Sequence, residues 1–193
     1  FNFDIYLKTD ETCNYETFCL SESDDGLHFK KAEILKNDLY CHNFFPYYCS
    51  KMKKFIGISG TGEYQKGIYL FESDDGIIWN IKNKIINDSF IADDNWTHTN
   101  HFDSHNCIVY NDIDEHYYIY IRHNSAVPHR RFVQFTKTKD FINFSFNHKI
   151  VNDYKIKSEI TKCKLINIVN DDKKEIYTPR IFKYFNSNYF LAT

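Results

Sequence analysis

Asp103 and Glu175 are the residues through which this chain could do chemistry. Each opens a short strand-like segment, Asp103-Ser104-His105-Asn106-Cys107-Ile108-Val109-Tyr110 and Glu175-Ile176-Tyr177-Thr178-Pro179-Arg180-Ile181-Phe182, and a third such segment opens on Asn43. Asn43, Asp103 and Glu175 each stand three positions before the packed part of the segment, at Pro46, Asn106 and Thr178. If the segments are neighbouring inner strands of a ring, their opening residues converge on one axial pocket. Two carboxylates facing one pocket suit the cleavage of a glycosidic bond. One protonates the leaving oxygen while the other activates water or attacks the anomeric carbon. Both are expected to be catalytic.

The residues around them are candidate ligand contacts. His105 lies two positions beyond Asp103 and so on the same side of a strand. Asn43, Asn106, Arg122 and Tyr177 complete the expected substrate-binding set. His98 and His101, in the long connection from Asp93 to Phe102, border the same rim, and Trp96 and Tyr177 offer stacking faces for a sugar ring. Each type also has an ordinary structural use: a carboxylate before a strand caps a turn, and aromatics pack. Arg122, Arg130 and Arg131 would then form surface ion pairs worth under ~1 kcal/mol. The shared register sets Asp103 and Glu175 apart from the other acids.

The elements that must position these residues repeat along the chain. Ser23-Asp24-Asp25-Gly26-Leu27-His28-Phe29 and Ser73-Asp74-Asp75-Gly76-Ile77-Ile78-Trp79 share one pattern, with a looser copy at Thr138-Lys139-Asp140-Phe141-Ile142-Asn143-Phe144. A hydroxyl residue is followed two positions on by Asp and six positions on by an aromatic. That is a tight turn: the polar side chains bond nearby amides, glycine supplies a positive φ, and the aromatic starts the next strand. The third copy lacks the glycine and is expected to turn differently. Strands are expected before each turn (Glu16 to Leu20, Gly67 to Phe71, Arg131 to Thr136) and after it (Phe29 to Ile34, Trp79 to Ile86, Phe144 to Val151). With the segments opening at Asn43, Asp103 and Glu175 and the aromatic strands that follow them, the unit is four antiparallel strands over roughly 50 to 70 residues, the size of one propeller blade.

The expected fold class is thus all-β, a β-propeller of four-stranded antiparallel blades. Residues 1–193 form one partial domain: 1–42 ends one blade, 43–102 and 103–174 are blades, and 175–193 starts a further one. Rings of ~4 to 8 blades are typical, so about three blade equivalents point to an incomplete fragment or to a module completed by another chain.

Composition narrows the classes. Aromatic residues make up 18% of the 193, with Phe 18 and Tyr 15 against Met 1, which favours pleated sheets. A formal net charge of -2 gives no nucleic-acid footprint, and no apolar run approaches a membrane span. Six cysteines at Cys13, Cys19, Cys41, Cys49, Cys107 and Cys163 include no CxxC pair, so reduced, partly buried thiols are expected and no metal site. No cofactor is expected. Carbohydrate is the expected partner.

The order Asn43-Phe44-Phe45-Pro46, Lys54-Phe55-Ile56-Gly57-Ile58, Gly67 through Trp79, then Phe102-Asp103-Ser104-His105-Asn106 before a Tyr-rich strand ending in Arg122, resembles five-bladed propeller proteins related to glycoside hydrolase families 32 and 43. The resemblance continues through Arg131 to Phe144 and Glu175-Ile176-Tyr177-Thr178. It implies a glycosidase-like pocket with acids on successive inner strands. The sequence departs from that pattern where an Asp-Pro opening would stand: Phe45 precedes Pro46, and His105 occupies the corresponding place in the next blade. Three readings follow: a glycosidase using Asp103 and Glu175, a carbohydrate-binding propeller without hydrolysis, or an inactive remnant.

Overall fold

The computed structural model describes residues 2–9, 16–34, 42–60, 67–86, 102, 106–125, 130–145, 164–166, 179–184 and 187–192. These form four antiparallel sheets. The first contains β1 (Asn2–Thr9), β2 (Glu16–Ser23) and β3 (Glu33–Ile34) in that order. The second contains β4 (His42–Cys49), β5 (Lys54–Gly60), β6 (Ile68–Ser73) and β7 (Asn80–Ile86), again in chain order. The third runs β8 (Cys107–Asn111), β9 (His116–Ser125), β10 (Arg130–Thr138) and β11 (Phe144–Ser145), with β12 (Lys164–Ile166) also on β10. The fourth pairs β13 (Pro179–Tyr184) with β14 (Ser187–Ala192). No helix occurs among the described residues.

The repeated turns set a common register. Ser23 lies opposite Asn2, Ser73 opposite Phe55, and Thr138 opposite Tyr117. β1 therefore takes the place of a blade's second strand, as its sequence suggests. Within the turns the hydrogen bonds also repeat. The Gly26 and Gly76 N–H groups donate to Ser23 Oγ and Ser73 Oγ at 2.9 and 2.8 Å, and Leu27, His28, Ile77 and Ile78 donate to Asp25 Oδ1 or Asp75 Oδ1, each at 2.8 Å. Trp79 tucks beneath its turn and donates its indole N–H to the Gly76 carbonyl at 2.9 Å.

The third turn corrects an expectation. Phe141 donates its N–H to Thr138 Oγ1 at 2.9 Å, and Ile142 and Asn143 donate to Asp140 Oδ1 at 2.9 and 2.7 Å. Phe141 has φ 61°, close to the 74° and 77° of Gly26 and Gly76. The same conformation is thus imposed without glycine. The bonds to Thr138 and Asp140, and the packing of the Phe141 ring on Tyr117 at a centroid distance of 4.4 Å, offset a left-handed cost of about 1–2 kcal/mol.

Of the expected outer strand Phe144–Val151, Phe144 and Ser145 form β11 and the rest lies outside the described residues. Phe144 and Ser145 pair with Thr138 and Lys137, but the partners of Phe135 to Val133 are Lys164 to Ile166. Among the described residues the outer position is therefore shared by two separate pieces.

The two complete sheets meet through aliphatic side chains. Ile56, Ile58, Ile68, Leu70 and Ile86 from the second sheet cluster with Ile108, Ile119 and Ile121 from the third, and all are buried. Each such side chain contributes about 1.5–3 kcal/mol by leaving water. The opposite face of the second sheet is aromatic: Phe44 packs edge-on against Phe71 and Trp79, at 5.3 and 4.7 Å. Gly57 admits this packing, because a Cβ there would run into the Phe44 ring. Polar ties cross the aliphatic seam as well. Lys51 Nζ donates to the Tyr110 hydroxyl at 2.7 Å, and Tyr110 N–H donates to the Tyr47 hydroxyl at 3.2 Å. Cys49 Sγ lies 3.6 Å from the Tyr117 hydroxyl, whose pKa burial pushes up. Cys19, Cys49 and Cys107 are buried and not joined in disulfides, as expected; Cys13, Cys41 and Cys163 lie outside the described residues.

Candidate functional site

The first strands of successive sheets are neighbours: β4 touches β8, and β8 touches β13. These are the inner strands of a propeller, and each is reached by a connection from the preceding blade. The candidate acids lie just upstream. Asp103 precedes Cys107, the first residue of β8, by four positions, and Glu175 precedes Pro179, the first residue of β13, by the same four. Asp103, His105, Glu175 and Tyr177 themselves lie outside the described residues, as do Trp96, His98 and His101.

Asn43 does not keep the expected register. Tyr48 pairs with Phe55 and Tyr110 with Tyr117, and Phe55 and Tyr117 in turn face the turn hydroxyls Ser73 and Thr138. Tyr48 and Tyr110 are therefore equivalent. Counting back places Pro46 level with Ile108 and Phe45 level with Cys107. The ladder also shifts between His42 and Phe45, so a bulge lies where Asn43 enters. Aligning the segments on Pro46 missed by two residues, because a proline is no marker of ladder position.

Asn106 is fully buried. Its Nδ2 donates to the Phe102 carbonyl at 3.0 Å, and its Oδ1 accepts the Arg122 N–H at 3.1 Å. Gly60, at the end of β5, presses on this knot. A Cβ there would strike the Phe102 carbonyl and approach Asn106 Nδ2 to 3.0 Å. Phe102 stands in the motif stretch Phe102 to Asn106, whereas Gly60 is marked by no motif. The available signal was an isolated glycine in a strand, which often marks a close backbone approach.

Arg122, expected among the substrate contacts, exposes only 7% of its surface, which excludes the ordinary alternative of a surface ion pair. It follows Ile119 and Ile121, which point into the aliphatic seam, so it shares the opposite face of β9 with Tyr118 and Tyr120. β13 runs against β9 as well as β8. A buried guanidinium thus stands near the end of β9. Arg130 and Arg131 lie in β10. Among the described residues no cluster of three or more His, Cys, Asp or Glu side chains could hold a metal ion.

No protein-family model matches the sequence, and no curated protein sequence is similar to it. Solved structures are similar in fold. The chain superposes on the GH32 beta-fructofuranosidase BmSUC1 of Bombyx mori with a TM-score of 0.54 at 12% identity, covering 98% of this chain and 37% of that one. A mutant of the same enzyme in complex with sucrose gives a TM-score of 0.54 at 12% identity, with 97% and 37% covered. The chain thus spans little more than a third of the length of those enzymes. At this identity the likeness speaks for the fold alone, an all-β propeller fold similar to part of those enzymes.

Proposed function

We propose that this chain contributes to a carbohydrate-cleaving propeller in which Asp103 and Glu175 form an acid/base pair. The observation that carries the reading is their common placement, four residues upstream of two adjacent inner strands. One carboxyl would donate a proton to the leaving oxygen, and the other would attack the anomeric carbon or activate water. A ring of five blades and a sucrose-like β-fructofuranoside substrate fit the fold likeness. His105 and Tyr177, next to the acids in sequence, and Asn43, at the start of β4, would contact sugar hydroxyls, and the buried Arg122 would supply positive charge behind them.

The test is turnover of sucrose and a panel of aryl glycosides. Asp103→Asn and Glu175→Gln should each lower kcat by about 10²–10⁴-fold, the usual scale for a positioned acid or base. Their thermal midpoints should stay close to that of the parent. Turnover that survives both substitutions would end the reading. A second reading, sugar binding without hydrolysis, is favoured by one feature: β4 (His42–Cys49) brings no carboxylate to the rim. Binding of sucrose by calorimetry, with no cleavage of any substrate in the panel, would establish it instead.

A further inference from the structure

We infer that Asn106 is a positioning residue for this end of the propeller, acting through Phe102 and Arg122 and not by touching a ligand. The inference rests on the proposed function only for what is being positioned. Phe45 of the neighbouring blade is level with Cys107, and before it that blade carries Phe44, which packs against Phe71 and Trp79. A carboxamide in so buried a place is costly unless its polar groups are bonded. Here both ends are used. Nδ2 reaches back to the Phe102 carbonyl, and Oδ1 takes the Arg122 N–H.

The two bonds have different consequences. The last backbone pair between β8 and β9 is Cys107 with Tyr120, so Arg122 N–H lies beyond the ladder on that side. Asn106 Oδ1 continues the pairing with a side chain and fixes the backbone from which the buried Arg122 guanidinium projects. The bond to Phe102 ties together the two residues that flank Asp103-Ser104-His105 in sequence. Gly60 allows both by leaving space where any side chain would strike the Phe102 carbonyl. One buried amide thus joins the end of the incoming connection, the start of β8 and the second strand of the blade.

The experiment uses the whole chain with Asn106→Leu, which keeps bulk and removes both bonds, and Asn106→Asp, which keeps an acceptor for Arg122 N–H. Ile108→Val, also fully buried, is the packing control. Amide exchange at Arg122 and in peptides spanning 102–106 should speed up about tenfold or more in Asn106→Leu. Asn106→Asp should restore protection at Arg122 alone, and peptides spanning 68–86 should not change. Unaltered exchange in a folded Asn106→Leu would overturn the inference. So would turnover whose kcat and pH profile are the same as in the parent. The expected result is a fall in kcat of about tenfold or more with KM nearly constant, which Ile108→Val does not reproduce. Should the parent cleave nothing while exchange responds as described, the glycosidase reading fails and the positioning role stands.

Discussion

At one end of the second and third sheets the strands are joined by the short turns 50–53, 74–79, 112–115 and 139–143; at the other they are joined by 61–67, 87–106, 126–129 and 167–178. The short turns are each closed by their own residues. Every one of them contains a left-handed residue, namely Lys53, Gly76, Glu115 and Phe141 with φ of 52°, 77°, 55° and 61°. In 74–79, 112–115 and 139–143 the closing hydrogen bonds span two or three positions in sequence, with Lys51 and Asp114 adding longer ties to Tyr110 and Lys137. The other end relies on partners far away in the chain: Asn106 is held by Arg122, sixteen residues on, and its surroundings depend on Gly60. One end can therefore be specified locally and repeated from blade to blade. The other must be specified by tertiary structure, and the connections that carry the candidate acids in sequence join strands there.

If that division is right, damage to the short-turn end should cost stability without a specific effect on carbohydrate turnover. The largest effect is expected from Trp79→Ala. Trp79 is buried beneath its turn, packs on Phe44 and bonds Gly76. Truncating such an aromatic costs about 3–5 kcal/mol. Urea unfolding measures it directly, and kcat per folded molecule should be unchanged. A loss below about 1 kcal/mol, well under the scale for buried aromatics, would show that the turn does not depend on its plug.

The same division governs how much the sequence discloses. The three turns are legible because Ser or Thr, Asp and the aromatic act within seven residues, and their spacing carries the bonding scheme. The strands flanking them follow. Phe141 misleads, because the absence of glycine suggests another conformation, whereas Thr138 and Asp140 enforce the same one. The outer position of the third sheet is legible only in part, through Phe144 and Ser145. Val133 to Phe135 pair with Lys164 to Ile166, a choice that local sequence does not encode. Of the candidate site, Asp103 and Glu175 are candidates by type and position and lie outside the described residues. The burial of Arg122 and the double bonding of Asn106 could not be picked out, since both arise where strands distant in sequence come together. Pro46 proved a poor marker of register, being level with Ile108 and not Asn106, and the bulge between His42 and Phe45 leaves no clear residue signature either.

A smaller effect sharpens the contrast between turns with and without glycine. Gly76→Ala places a Cβ at φ 77° and should cost about 1–2 kcal/mol. The reverse change, Phe141→Gly, relieves a similar strain. It also gives up the ring contact with Tyr117 and adds unfolded-state freedom worth about 0.5–1 kcal/mol. These nearly cancel, so the net change should lie within about 1 kcal/mol of zero. Paired denaturant titrations decide it. A large gain for Phe141→Gly would mean that the ring contributes little, and a large loss that it, rather than the hydrogen bonds, holds the turn.

The smallest effect concerns acid. The Asp25 carboxyl is held well below the usual range by its bond to His28 and by the His28 and Leu27 amides, and Asp75 is lowered by the Ile78 and Ile77 amides. Asp140 is held well below it by the Asn143 and Ile142 amides and the Asn143 side chain. Each folded pKa is lower than its unfolded value near ~3.9. The stabilisation from these groups is therefore fully present above that value and is lost only as pH falls through the lower folded values. Thermal midpoints should be insensitive to these carboxylates from neutral pH down to about 4, the unfolded aspartate range, and should decline below it. Asp75→Asn keeps an oxygen acceptor but removes the titration, so it should flatten part of that decline. A proton-donating acid at the other end must keep its proton near the working pH, so turnover should respond to pH well above the window in which the turns do. Midpoints that fall together with turnover between pH 7 and pH 5 would break the separation of the two ends, because the carboxylates of the short turns stay ionised throughout that interval.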